Sequence, residues 1–364
     1  MNRGVRVVDL TRVLAGPWAT MILGDQGFDV IKIEPPEGDE TRRFQPWKAG
    51  ESVYFACTNR NKRSVVLDLK TAAGRAALLR LVETADVLVE NFRPGVMARL
   101  GLDDEVLRAR RPDLVHVSIS AFGPGPFAER AGYDLVLQSA GGIASLTGDP
   151  PRKAGPSIAD LASALTAVQA VLFALLRRYC TGEGERIHIS MLDVQHALLA
   201  YYASAWLNVG QEPPEPGNRH PSICPYNLYR CRDGWLAICC ANEPLWDRLK
   251  QVLMLEDRPW FGSMAARLAH RDDVDAQIEA ALEDDDAAVW EARLLEAGVP
   301  CSVALTVPQS LAQPAARRIH IGNWIFPAPP LAPRCLRPPP TLGEHTAEVL
   351  AEVGLLPTDL LVTA

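Results

Sequence analysis

No CxxC pair occurs among the eight cysteines, which stand apart at positions 57, 180, 224, 231, 239, 240, 301 and 335. That spacing excludes a zinc ribbon or a thioredoxin-like redox pair. The thiols read as reduced core residues of a cytoplasmic protein. The turn after the first apolar run, Thr11-Arg12-Val13-Leu14-Ala15-Gly16-Pro17, has no GxGxxG, so a nicotinamide reading loses its main support. GxxxxGK[ST], GxSxG and HExxH are also missing, and the seven histidines lack metal spacing. No metal is therefore expected. Lys+Arg is 37 against 44 Asp+Glu, a net charge of −7, so the basic face that a nucleic acid needs is lacking. No charged segment followed by an apolar stretch and cleavage site is readable after Met1. The longest apolar stretch, Ala162–Leu176, is interrupted by Ser163, Thr166 and Gln169. It falls short of the ~18 apolar residues of a membrane span and reads as a buried helix.

What is present is a chain of 364 residues, 48% hydrophobic, long enough for two domains with real cores. Short runs rich in Val and Ile alternate with helical patterns. Val5–Leu10, Asp29–Glu34, Ser64–Leu69, Asp86–Glu90, Leu114–Ser120 and Arg186–Ser190 read as strands. Helices are expected around Pro17–Leu23, Thr71–Thr84, Ser157–Tyr179 and Leu192–Leu207. This alternation predicts an α/β fold with a parallel sheet covered on both faces. Proline is over-represented, 29 of 364 residues, and concentrates in Gly210–Pro225 and Pro327–Pro340, which read as connectors. The expected organisation is a large domain over 1–209, a linker over 210–225, a small α+β domain over 226–310, and a connector with a C-terminal return over 311–364. A strand at Trp235–Cys240 and helices near Leu245–Met254, Val274–Leu282, Ala287–Ala297 and Thr346–Val353 complete the reading.

Several segments carry a resemblance. They are Val5–Pro17, Gly27–Pro36, Asn61–Lys70, Asp86–Gly95, Gly132-Tyr133-Asp134, Gly141-Gly142, Gly217–Pro221 and Leu342–Thr346, in that order. Together they resemble the class III (family III) CoA-transferases, which also include α-methylacyl-CoA racemases. The resemblance implies a large Rossmann-like domain completed by the C-terminal segment, a smaller inserted domain, and two chains interlocked as a homodimer. It implies coenzyme A, or acyl-CoA, as substrate together with a carboxylic acid.

The position that matches the family's nucleophilic aspartate is Asp160, in Gly155-Pro156-Ser157-Ile158-Ala159-Asp160-Leu161. Placed in the first turn of a long helix, its carboxylate is expected to be kept ionised by the helix dipole, and it could act as a nucleophile. Ser157-x-x-Asp160 also fits a capping box with no chemistry. The resemblance favours chemistry and implies ping-pong transfer through an aspartyl-CoA thioester. For coenzyme A, it implies Leu14 and Ala15 in the first contacting loop, Leu67–Lys70 (Leu67 and Lys70 foremost) at the adenine end, and Asn91, Phe92 and Arg93 in a further turn. It also implies Arg99 for a phosphate and Arg130–Tyr133 as another contact. Arg42 and Arg43 are weaker candidates. Leu14 and Ala131 replace the glutamine and lysine of some transferases, and Arg130 could supply the lysine's charge. The Gly141-Gly142 amides are a candidate oxyanion hole.

Racemases of the family place a histidine where this chain has Tyr133. A phenol titrates near ~10 and is a poor base at neutral pH, which favours the transferase. A racemase, or a CoA-binding paralogue without turnover, is the alternative.

Overall fold

The computed structural model describes residues 4–360. The chain divides into two compact units, one of residues 1–143, 153–200 and 317–364, the other of residues 144–152 and 201–316. Residues 1–3 and 361–364, expected to begin the large domain and to finish the C-terminal return, lie outside the described residues.

In the first unit, the Val- and Ile-rich runs become six strands: β1 (Arg6–Asp9), β2 (Asp29–Glu34), β3 (Lys62–Val66), β4 (Val87–Glu90), β5 (Val115–Ser120) and β6 (Glu185–Ser190). All pair in parallel, in the order β3-β2-β1-β4-β5-β6. Because strand side chains alternate, each strand feeds two cores. Val8, Ile31, Val65 and Leu88 pack with Leu78 and Leu81 of helix Ala72–Val82. Val7, Val30, Val89, Val117 and Ile119 pack against helices α1 (Ala15–Asp25) and α3 (Ile158–Thr181) on the other face. Between these two helices in the chain lies α2 (Asp134–Ala140), and α4 (Met191–Leu198) follows β6.

α3 departs from the buried helix expected. Its small residues Ala159, Ser163, Ala164, Ala167, Val171 and Ala174 lie on one stripe and are buried, which lets the helix approach the sheet closely. Leu165, Leu172, Phe173, Leu176 and Tyr179 lie exposed. The helix has the length and apolarity of a membrane span by composition, yet its alanine stripe is part of the sheet's core. The single helix expected over Leu192–Leu207 is two, Met191–Leu198 and Tyr201–Val209. They are separated by Leu199 and by Ala200 at φ 46°, a left-handed residue that no helix carries through.

Charged residues are built into this sheet. Lys62 Nζ, fully buried, donates to Asp9 Oδ2 at 3.0 Å, to the Pro17 carbonyl at 2.8 Å and to Asn59 Oδ1 at 2.8 Å. Lys32 Nζ donates to Asp39 Oδ2 and the Thr11 carbonyl, both at 2.9 Å. Arg42 forks onto Glu34 through two contacts of 2.7 Å. Burial pulls Lys62 down to about 8 against the attraction of Asp9. Burial would raise Asp9, but Lys62, Lys32 and the Thr11 and Thr20 hydroxyls outweigh it and hold Asp9 below the usual carboxylate range.

A second ionic cluster gathers where β1, β2 and β3 begin. Arg6 meets Asp29 at 2.9 Å and Glu352 at 2.5 Å, and Arg63 meets Asp29 at 2.7 Å and Glu352 at 2.5 Å. Its acids are partly open to water, Asp29 at 28%, Glu352 at 31% and Glu348 at 61% exposure. These pairs and buried Val349, Leu350 and Val353 seat the C-terminal helix Thr346–Glu352 on the sheet. An antiparallel pair, Arg318–Ile321 with Trp324–Pro327, packs on Ala56, where only an extended connector is expected from the sequence.

The second unit has a three-stranded antiparallel sheet of Tyr226–Arg230, Trp235–Cys239 and Cys301–Val303. Helices Glu243–Leu253, Arg271–Leu282 and Ala287–Glu296 pack on it around Trp246, Ile278 and Trp290. Cys224, Cys231 and Cys240 are buried in this core, whereas Cys57 and Cys180 are exposed.

Candidate active site

The chain leaves β1 toward β2 and β3, and later leaves β4 toward β5 and β6. The adjacent strands β1 and β4 are thus the sheet's switch point, where loops part and open a crevice beyond the strand ends. Asn91, the first residue after β4, holds that crevice together. It accepts the Arg12 N–H at 2.9 Å and donates to the Arg12 carbonyl at 2.9 Å. Arg12 lies in the turn after β1. The next residue, Val13, has φ 69°, a conformation that costs a β-branched residue of order 1–3 kcal/mol. Thr11 is fixed by Asp9, which accepts its N–H at 2.9 Å. Gly16 is required where α1 folds back over this turn, since a Cβ there would lie 2.3 Å from the Thr11 Cβ.

Two adjoining clefts open here. The first is lined by Arg12–Ala15, Asn91–Pro94, Ser120, Ala121, Arg130–Tyr133, Asp160 and Met191. The second is lined by Leu10–Arg12, Gly38–Glu40, Arg43 and Leu67–Lys70. They share Arg12, Glu40 and Phe92. Of the expected residues, Leu14, Ala15, Asn91, Phe92, Arg93, Arg130 and Tyr133 thus meet Asp160 in one cleft, and Leu67 and Lys70 line the other.

Arg99 is exposed at the end of the short helix Val96–Arg99, outside the lining of both clefts. Asn91 lines the cleft, but its amide is spent on the Arg12 backbone. Arg42 is committed to Glu34, while Arg43 lines the second cleft. The Gly141 amide is likewise spent, donating to the Leu137 carbonyl at 2.8 Å, so it cannot serve an oxyanion hole. The guanidinium of Arg130 lies 4.0 Å over the Phe127 ring.

Asp160 sits in the first turn of α3 and makes no hydrogen bond or ion pair among the described residues. The capping box expected from Ser157-x-x-Asp160 does not form; the Ser157 hydroxyl caps nothing. Asp134, in the first turn of α2, supplies the cap instead. It accepts the Ala159 N–H at 2.9 Å and the Gln138 amide at 2.8 Å. This reverses the expectation that Asp160 is kept ionised. Burial, and then the negative charge of Asp134, push its carboxyl up to about 7. Asp134 was visible in the sequence only as part of Gly132-Tyr133-Asp134. Nothing local marked it as the cap of a helix that begins beyond a separate loop.

The arrangement offers a carboxyl without protein partners, poised between neutral and ionised, at the end of a long crevice with arginines along it. A carboxylate so placed can attack an acyl group, and the crevice could take an extended, anionic ligand.

A family model described as CoA-transferase family III matches residues 3–346. A succinate–glutarate CoA-transferase of Agrobacterium fabrum is 39% identical, over 96% of this chain and 95% of its own. An acetyl-CoA:oxalate CoA-transferase of Acetobacter aceti is 40% identical, over 90% of this chain and 88% of its own. Among solved structures, a CAIB/BAIF family protein from Brucella suis superposes with a TM-score of 0.87 at 37% identity, covering 96% of this chain and 98% of that one.

Proposed function

The chain belongs to CoA-transferase family III and is a CoA-transferase acting on acyl-CoA; from that premise we propose that it passes CoA to a free carboxylic acid through a thioester on Asp160. The observation that carries this reading is the unpartnered, largely buried Asp160 carboxyl in the cleft at the switch point. Ionised, an Asp160 oxygen attacks the donor thioester carbonyl. The C–S bond breaks, giving a mixed anhydride and CoA thiolate. The thiolate attacks the aspartyl carbonyl and the donor acid leaves as carboxylate, so that Asp160 carries CoA as a thioester. The acceptor carboxylate attacks that carbonyl and releases the thiolate. The thiolate then takes the acceptor's acyl group from the second anhydride and regenerates Asp160. A neutral carboxyl is not a nucleophile, so only the ionised fraction enters the cycle.

In this reading coenzyme A lies along both clefts, its adenine end near Leu67 and Lys70 and its thioester near Leu14, Ala15 and Tyr133. The donor and acceptor are small carboxylic acids, as the names of the relatives suggest. The enzyme is a cytoplasmic, interlocked homodimer; the exposed apolar residues of α3 supply surface for such a partner. Tyr133 in place of a histidine speaks for transfer over racemisation.

The test is trapping. With acyl-CoA and hydroxylamine, Asp160 should become a hydroxamate detectable by mass spectrometry. Full transferase activity in Asp160→Ala would refute the mechanism. Rapid α-deuteration of a 2-methylacyl-CoA in D₂O without an acceptor acid would favour the racemase.

A further inference from the structure

On the face of the sheet opposite α3, the first unit carries a polar surface that transfer at Asp160 does not use. Strands of a parallel sheet are ordinarily apolar on both faces. Here residues 115–120, Val-His-Val-Ser-Ile-Ser, and 185–190, Glu-Arg-Ile-His-Ile-Ser, alternate. Val115, Val117, Ile119 and Ile189 enter the core under α3. Alternation turns His116, Ser118, Arg186 and His188 the other way, beside Glu90 of β4. These five residues, with Asp103, Asp104 and the Phe92–Pro94 turn, line a groove. It shares that turn with the first cleft but does not include Asp160.

Three features of the groove call for a ligand. The His116 ring is 4% exposed, its Nδ1 faces Asp104 at 3.4 Å, and its buried Nε2 has no partner. Leaving such an atom unpaired is unfavourable, because it has given up its water without gaining a partner. Arg186 forms no ion pair among the described residues, yet its charge acts on Glu90, His116 and His188. His188 is held between the Ser118 and Ser120 hydroxyls at 2.7 and 2.9 Å, so the polar wall is ordered.

One kind of group satisfies both the guanidinium and the orphan nitrogen. A carboxylate fits the fork of an arginine and can receive a proton-bearing imidazole nitrogen on its other side. We propose that this groove is a binding site for a small carboxylate, or an oxyanion of like shape, held by Arg186 and His116 and separate from the Asp160 cleft. The acids nearby do not prevent this. Asp103 caps Val106 at 3.1 Å, Asp104 pairs with Arg108 at 2.9 Å, and Glu90 has one oxygen on the Phe92 N–H at 2.8 Å. Arg93 and Arg108 add positive charge around the site.

Binding takes up protons. Burial holds His116 below its ordinary value and pushes Glu90 up to about 7. An anion against His116 Nε2 favours the imidazolium, which still donates from Nδ1 toward Asp104. It also favours the neutral form of Glu90. Both effects tighten binding as pH falls.

The experiment is calorimetric titration of the full chain, without acyl-CoA, by succinate and by inorganic phosphate at about pH 6 and about pH 8. Succinate should bind roughly tenfold more tightly at the lower pH, the effect of about one linked proton partly expressed over that span. Arg186→Gln, an exposed change that spares the core, should weaken it by at least a similar factor, and saturating CoA should leave it in place. Phosphate binding with the same losses would make the site one for oxyanions in general; succinate alone would make it one for carboxylates. The proposal is overturned if succinate gives no binding, if Arg186→Gln binds equally well, if affinity is the same at both pH values, or if CoA displaces the ligand. None of these outcomes depends on whether Asp160 is the nucleophile.

Discussion

Asn91 holds Arg12 by both its backbone N–H and its carbonyl, each at 2.9 Å, and so ties the end of β4 to the turn after β1. The left-handed Val13 follows directly. The strain of that residue is sustained by the anchors on either side of it.

Replacing Asn91 by Leu removes both hydrogen bonds and frees the turn. With each neutral bond worth about 1 kcal/mol, we expect a loss of roughly 2 kcal/mol in stability. The KM for acyl-CoA should rise several-fold while kcat changes less. Thermal unfolding together with steady-state kinetics checks this.

Asp160→Asn should abolish transfer, by about a thousandfold or more, and yet stabilise the protein. The sign follows from the raised carboxyl. The folded state binds the Asp160 proton more tightly than the unfolded chain does. Stability from this group is complete below the unfolded pKa of ~4 and is lost as pH rises through about 7. At about pH 8 the variant should therefore melt a few degrees higher than the parent, roughly the effect of 1–3 kcal/mol in a chain of this size. The difference should vanish near about pH 4. Calorimetry across this range decides it.

Asp134→Asn removes the second cause of the Asp160 shift and keeps an oxygen to accept the Ala159 N–H. The acid limb of kcat/KM, set by the free enzyme's groups, should lie near about pH 7 in the parent and move to lower pH in the variant. A limb that stays in place would mean that burial alone sets it. The misfit with the Gln138 amide should cost about 1 kcal/mol.

Lys62→Met leaves Asp9 buried without its nearest cation. Breaking a buried pair from one side costs about 3–5 kcal/mol, more than any surface pair here. The turn over Thr11 rests on Asp9, so CoA affinity should fall with stability. Chemical denaturation and CoA titration measure both.

The six strands were legible because Val and Ile runs of four to six residues, bounded by helical patterns, have few other readings. The Leu199–Ala200 break was not, since neither residue is a punctuating Gly or Pro and only φ 46° at Ala200 reveals it. The hairpin Arg318–Pro327 hid against the proline-rich stretch that follows. At the site, Asp160 and the turns at Leu14 and Phe92 could be named only through the family resemblance of their segments, since Ser157-x-x-Asp160 by itself reads as a helix cap. The poise of Asp160 could not, because it depends on Asp134 arriving from another helix and on burial that only the packed sheet creates. The exposure of Arg99 was not legible either: an exposed arginine next to a motif looks the same in sequence as one inside a cleft.

The two ionic assemblies of the sheet differ in how they meet added salt. Mobile ions cannot enter the dry lattice of Asp9, Lys62, Lys32 and Asp39, so it is nearly blind to ionic strength. The cluster of Arg6, Arg63, Asp29, Glu348 and Glu352 is open to solvent through its acids and would be screened. In concentrated brine the C-terminal helix should loosen from the sheet first, while the turns around the crevice keep their shape.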